Sequence, residues 1–196
     1  DQIEYQVRGI TQIQIKPEVG LDFSSGLRAI LRQSPDVVMV GEIRDSETAD
    51  IAIKASLTGQ MVLSTLHTND AAGAMTRLID MQIEPFLIAS SVVLVAAQRL
   101  CRRVCPNCKE LVNIPKDVFD RMGASLDQLV PNPSERTFFK GKGCEKCNKT
   151  GYYGRMGILE TLVIDDRIRD LVVKRASSYE LKEYATKHIH MATLRD

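Results

Sequence analysis

The sequence predicts an α/β fold built around a small parallel sheet, and three observations carry the prediction. Over the first hundred residues, short apolar runs alternate with helically spaced apolar residues in the order strand, helix, strand, helix. Two of the apolar runs, 37–40 and 61–67, end in polar and charged clusters, as strands do at the ligand-binding edge of an open α/β sheet. Near residue 100 this pattern stops and a segment rich in cysteine, proline and lysine follows, so a separate, loop-rich module is expected.

Residues 10–15 (ITQIQI) alternate apolar and polar and read as a half-buried strand. Asp22 or Ser24 caps a helix through 26–33, which Pro35 ends because the residue before a proline is steered away from helical backbone. Val37, Val38, Met39 and Val40 fit a central strand covered on both faces. Ser46 caps a helix through 48–57 that closes at Gly59, with Glu47 in its first turn. Residues 61–67 form a second buried strand, Asp70 caps the helix after it, and Pro85 opens a long apolar helix to about Arg99. Parallel strands ending at Glu42 and at His67 put both polar clusters at one edge of the sheet, where they can share a single site.

Between Cys101 and Gly157 lie all five cysteines and four of the seven prolines. Beyond it, 158–164 reads as a strand, and 166–175 and 178–187 have helical spacing, the second opening on Ser177 or Ser178 with Glu180 and Glu183. The expected organisation is an α/β part over 1–100, a cysteine module over 101–157, and a carboxyl-terminal strand with helices over 158–196.

A chain of 196 residues with 44% apolar content holds one good core plus an appendage, or two modest domains. A formal net charge of +1 exerts no global pull on nucleic acid or anionic lipid. The longest apolar stretch, 86–100, is interrupted by serines and too short for a transmembrane helix, and no signal peptide is present. The chain opens on Asp1 and runs quickly into patterned sequence, the expectation for a piece cut from a larger protein. Five cysteines without the framework of a small secreted scaffold point to a reducing, cytoplasmic compartment and to metal or free-thiol use.

Two Cys-x-x-Cys pairs, Cys105/Cys108 and Cys144/Cys147, can each offer two thiolates to one tetrahedral zinc ion, and four thiolates close its shell as a structural site. The connection between the pairs is longer than the roughly 15–20 residues of a typical ribbon, so short helices are expected within it, over 117–122 and 125–129. Redox-active pairs or simple buried thiols are the alternatives. Zinc and four thiolates would shift the formal charge from +1 to −1. Cys101 lies outside both pairs and reads as a small buried residue.

The stretch 36–45, DVVMVGEIRD, runs an apolar strand straight into Glu42, Arg44 and Asp45. An acidic residue at the carboxyl end of such a strand can hold a water or a hydrated magnesium ion against a phosphate, so Gly41 and Glu42 resemble the end of a Walker B strand. A strand followed by an ordinary polar loop is the plainer reading. The Walker A loop that would complete the site, GxxxxGK[ST], does not occur in this sequence.

Taken together, 26–59, LSTLHTNDA over 63–71, QRL over 98–100 and the two cysteine pairs resemble the secretion ATPase superfamily, in the branch of type II secretion and type IV pilus assembly motors. The resemblance covers essentially the whole chain and implies part of a RecA-like parallel sheet flanked by helices, from a hexameric cytoplasmic motor using ATP and Mg2+. It places the phosphate loop upstream, before an acidic box that survives here as DQIEY, with Asp1 and Glu4 standing for part of it and Gln2 where proline is usual. It makes Glu42 the Walker B carboxylate that polarises the attacking water or positions magnesium, gives His67 contact with the γ-phosphate, and puts Arg77 and Arg99 near phosphate or a neighbouring subunit. Gln60 stands where the family usually carries an earlier histidine. The implied partners are other subunits of a ring and an inner-membrane platform protein, with no nucleic acid, and a chain without the phosphate loop is expected to hydrolyse no ATP alone.

A rival class remains in the cysteine module. Its lysines and arginines, with Phe138, Phe139, Tyr152 and Tyr153, can make a nucleic-acid-binding zinc ribbon or a purely structural interaction module.

Overall fold

The computed structural model describes residues 3, 5–115, 118 and 137–194. The chain divides into two compact units, one formed by 1–97 with 160–193 and the other by 98–159 with 194–196.

The first unit begins with α1 (Phe23–Leu31), whose cap Asp22 accepts from Ser25 N–H while Ser25 Oγ accepts from the cap's own N–H. Strands β1 (Val37–Val40) and β2 (Met61–Ser64) pair in parallel, with Val37 opposite Met61 and Val40 opposite Ser64. Between them runs α2 (Ser46–Leu57). Helices α3 (Ala71–Asp80) and α4 (Pro85–Ser91) follow, and α5 (Asp166–Val173) and α6 (Ser178–His188) return from the far end of the chain. One apolar cluster joins these parts: Leu27, Val38, Ala52, Met75, Ile88, Leu162, Ile168 and Leu181 all belong to it. The other strands are β3 (Leu94–Val104), β4 (Lys109–Val112), β5 (Phe138–Gly141) and β6 (Tyr152–Val163). β3 pairs with β6, and β4 runs antiparallel to β5.

Several expectations are corrected. Residues 10–15 join no ladder; the glutamines at their polar positions bond the chain instead, Gln14 Oε1 accepting from Ile3 N–H and Gln12 Oε1 from Val7 N–H. β1 is covered on one face only: Val38 and Val40 are buried, while Val37 and Met39 are 59% and 70% exposed. Asp45, not Ser46, caps α2, because its two carboxylate oxygens reach Thr48 N–H and Thr48 Oγ. The helix opened by Pro85 ends at Ser91 instead of near Arg99. Ser90 and Ser91 turn their hydroxyls back onto the carbonyls of Phe86 and Leu87, and the Val92–Val95 stretch favours extended backbone. Arg99 and Cys101 therefore lie on β3, and Cys101 is exposed. The short helices expected over 117–122 and 125–129 fall outside the described residues, apart from Val118.

Ile168 is fully buried in the cluster that joins the amino- and carboxyl-terminal parts of this unit. Ile168→Ala is expected to cost about 2–5 kcal/mol of unfolding free energy, since buried isoleucines leave a cavity that relaxes only partly. Equilibrium urea unfolding measures it, and a loss below about 1 kcal/mol would show that the helix is not packed as described.

Candidate active site and metal centre

The parallel register carries β1 and β2 off the sheet at the same edge. Past the strands the pairing continues, because Ile43 N–H donates to Thr65 carbonyl at 3.0 Å and Thr65 Oγ donates to Gly41 carbonyl at 2.7 Å. These bonds set the loop after β2 beside the loop after β1, and His67 Nε2 reaches Glu42 Oε2 at 3.0 Å. Glu42 is only 2% exposed, while the His67 side chain is mostly exposed. Arg44 Nε lies 2.6 Å from the same Glu42 oxygen.

A buried carboxylate is tolerated when its charge is paired, and Oε2 meets that condition twice. The other oxygen, Oε1, is buried with no hydrogen-bond partner among the described residues. A buried acceptor without a donor is costly, so one left at the edge of a sheet fits a water, or a water held by a cation, as its missing partner. The carboxyl of Glu42 is held below its ordinary range: the Arg44 hydrogen bond lowers it most, burial opposes, and His67 lowers it further.

The structure brings together Glu42 and His67, with Gly41 beside them through its carbonyl. Arg77 is exposed in the last turn of α3, away from its start, and no described bond ties its side chain to Glu42 or His67. Gln60 sits before β2, at the opposite end of that strand from His67, where its Oε1 accepts from Thr58 Oγ. Asp1 and Glu4 lie outside the described residues. Sequence reasoning missed Arg44 as a partner of Glu42, although its place two residues along in the same charged cluster was a usable signal. It also missed Glu160 and Lys182, which meet the start of α3 from 89 positions or more along the chain and have no local signature.

In the other unit, the sulfurs of Cys105, Cys108, Cys144 and Cys147 all lie within 4.8 Å of one another. The sulfur separations of 3.9, 3.9 and 3.7 Å for Cys105–Cys144, Cys108–Cys147 and Cys144–Cys147 are too long for disulfides. They match the edges of a tetrahedron with metal–sulfur bonds of about 2.3 Å, whose corners stand about 3.8 Å apart. Backbone N–H groups point at the sulfurs, Gly143 at Cys108 and Cys144 at Cys147, as suits thiolates. As free thiols Cys144 and Cys108 are ill matched: the Asn107 amide pulls Cys144 down to about 6, whereas burial pushes Cys108 up to about 12. A bound cation favours the thiolate at every position. The knuckles are closed by tight backbone approach, since Gly151 has a positive φ of 78° and a Cβ there would meet Gly141 carbonyl oxygen at 2.6 Å. Around the cluster, Arg102, Lys109 and Lys146 lie over the rings of Tyr152, Phe139 and Tyr153.

Comparison with known proteins is consistent along the whole chain. The family of type II/IV secretion system proteins matches residues 1–196. The type IV pilus assembly ATPase PilB of Thermus thermophilus is 50% identical over 196 residues, covering 100% of this chain and 22% of that protein. The type II secretion system protein E of Pseudomonas aeruginosa is 51% identical over 185 residues, covering 94% of this chain and 36% of that protein. The chain thus spans roughly a fifth to a third of the length of these relatives. Among solved structures, the pilus retraction motor PilT with bound ADP aligns with a TM-score of 0.56 at 22% identity, over 89% of this chain and 38% of that one. The Yersinia pseudotuberculosis ATPase DotB aligns with a TM-score of 0.57 at 20% identity, over 92% and 36%. At such identities these two matches speak for the fold.

Because the folded pKa of Glu42 is depressed below 4.5, its contacts contribute fully above that value and are lost as pH falls through the folded pKa. A carbon-detected titration is expected to place the Glu42 midpoint below 4.5, and Arg44→Met to move it upward. An unchanged midpoint in that variant would show that Arg44 does not hold the carboxylate.

Proposed function

This chain belongs to the type II/IV secretion system protein family, and we propose that it forms the Walker B and His-box side of the nucleotide site in a hexameric motor ATPase. The motor would power type II protein secretion or type IV pilus assembly, working in the cytoplasm against an inner-membrane platform protein. The relatives named a pilus assembly ATPase and a secretion system protein support this reading. Among the described residues no helix is long and apolar enough to cross a membrane.

The observation that carries the proposal is Glu42: a buried carboxylate at the end of a parallel strand, with one oxygen engaged by Arg44 and His67 and the other without a partner. Bound ATP with Mg2+ supplies the phosphoryl group and the charge neutralisation that phosphoryl transfer needs. Within this chain, Glu42 Oε1 would accept a hydrogen bond from the attacking water or help to hold Mg2+. Arg44 and His67 fix the rotation of the carboxylate through Oε2. With its Nε2–H given to Glu42, the imidazole stands at the strand edge where a terminal phosphate would meet it. Gly41 contributes backbone to the same edge, Asp1 and Glu4 take the acidic-box roles that the family resemblance assigns, and Arg77, in the last turn of α3, faces phosphate or a neighbouring subunit.

The second centre is proposed to be a structural zinc site on Cys105, Cys108, Cys144 and Cys147. Its tetrahedral sulfur spacing and all-thiolate donor set suit Zn2+ with no open position for catalysis. Of the four rings on which a nucleic-acid reading would depend, Phe139, Tyr152 and Tyr153 each carry a cation of the chain itself over one face, which leaves less of them for stacking on bases.

Two outcomes test these readings. In the full-length protein, Glu42→Gln should lower ATP hydrolysis by about 10²–10⁴-fold, the usual range of general-base effects, with nucleotide binding retained; hydrolysis at the parental rate would remove the Walker B assignment. Elemental analysis of the purified chain should find one zinc per chain. Chelation or Cys147→Ser should raise hydrogen exchange across 98–159, since metal-binding energy is folding energy in small modules. Cys101→Ser should leave the zinc content as it was, and a chain free of zinc would refute the site.

A further inference from the structure

A second charged cluster stands at the start of α3, and the nucleotide chemistry does not call on it. Glu160, near the end of β6, is fully buried. Its Oε1 accepts the N–H of Ala71, the first residue of α3, at 2.8 Å, and its Oε2 lies 3.2 Å from Lys182 Nζ on α6. The same ammonium reaches Asp70 Oδ2 at 3.3 Å, while Asp70 Oδ1 caps α3 through Gly73 N–H at 2.9 Å. Burial pulls the Lys182 pKa down, but the Glu160 and Asp70 carboxylates outweigh it and hold the ammonium above its ordinary value.

Buried ion pairs of this kind are poor stabilisers, because apolar side chains of similar volume often do as well or better. What they impose is position: two charged partners and a helix N-terminus admit few arrangements of the backbone that carries them. The segment they hold is the connection from β2 to α3. Its front is fastened to the β1 loop by Thr65, through bonds of 3.0 and 2.7 Å to Ile43 and Gly41. Its rear is fastened by Glu160 and Lys182 at Asp70 and Ala71. Thr68 tightens the span between, its N–H donating to Leu66 carbonyl and its hydroxyl to Asp70 carbonyl. His67 lies between the two fastenings and reaches Glu42.

We propose that Glu160 and Lys182 are positioning residues, which hold the His67 loop in register with Glu42 so that β6 and α6 help set the geometry of the nucleotide site. The proposal rests on Glu42 and His67 serving ATP hydrolysis, and its test separates the two claims.

The measurement is steady-state ATP hydrolysis by the full-length protein, resolved into kcat and KM. Lys182 is one-third exposed, so methionine fits there, and Lys182→Met should lower kcat by about tenfold to a hundredfold, the range that small misplacements of a catalytic group produce, with KM for ATP unchanged. Lys182→Arg, which keeps the charge, should recover most of the rate. In a His67→Ala background, Lys182→Met should add little, because residues acting through one element are not additive. A parental kcat in Lys182→Met, or the same fold-loss with and without His67, overturns the positioning role. Full activity of His67→Ala overturns the site reading itself, and the proposal with it. If Lys182→Met does not fold, Asp70→Asn keeps the helix cap while removing one carboxylate from Lys182; it should lower kcat in the same direction and by less, and a parental rate there counts against the proposal.

Discussion

The structure turns on the parallel pairing of β1 with β2. Because both strands run the same way, in the register that sets Val40 opposite Ser64, the chain leaves both at one edge of the sheet. The two bonds from Thr65 to the β1 loop then carry that alignment past the last ladder pair. Glu42 and His67, 25 positions apart, meet only for this reason. An antiparallel pairing would send the two loops to opposite ends. The same pairing sets Val38 and Val40 on the buried face of the sheet, within the apolar cluster of the unit.

Buried polar groups are handled in three ways in this chain. Among the described residues, the buried polar side chains are Glu42, Thr48 and Glu160. Thr48 is matched to Asp45, and Glu160 uses both oxygens, on Ala71 and Lys182. Glu42 alone keeps an oxygen without a donor. The four cysteines follow a third logic: their sulfurs gather within 4.8 Å of one another, as a group that could hold one metal ion.

What was legible in the sequence was what is decided locally. Asp22, Asp70 and Ser177 cap helices within three residues of themselves, so residue type and spacing pointed to Asp70 outright and narrowed the other two to Asp22 or Ser24 and Ser177 or Ser178. The Cys-x-x-Cys spacing likewise encodes a knuckle before any fold is known. Local reasoning failed where two local preferences competed. Residues 10–15 have the alternation of a strand, but their glutamine side chains took the N–H groups of Ile3 and Val7 and the carbonyl of Tyr5. The apolar run from Pro85 has helical content, yet serine hydroxyls and β-branched valines ended the helix at Ser91. At 45–46 the sequence pointed to Ser46, but the longer carboxylate of Asp45 reached two groups of Thr48 at once and took the cap.

The sequence by itself determined the α/β class, the motif carrying Glu42, the segment carrying His67 and the two Cys-x-x-Cys pairs, since each is written in contiguous residues with a fixed backbone consequence. Only the tertiary structure decided that Arg44 and His67 share one oxygen of Glu42, and that Gln60 stands at the far end of β2 from them. It also decided that Glu160 and Lys182 converge on the start of α3, from 89 and 112 positions beyond their partners Ala71 and Asp70. Pairings of that separation depend on how strands and helices stack, because no local backbone preference distinguishes a glutamate that will be buried against a helix N-terminus from one that will face water.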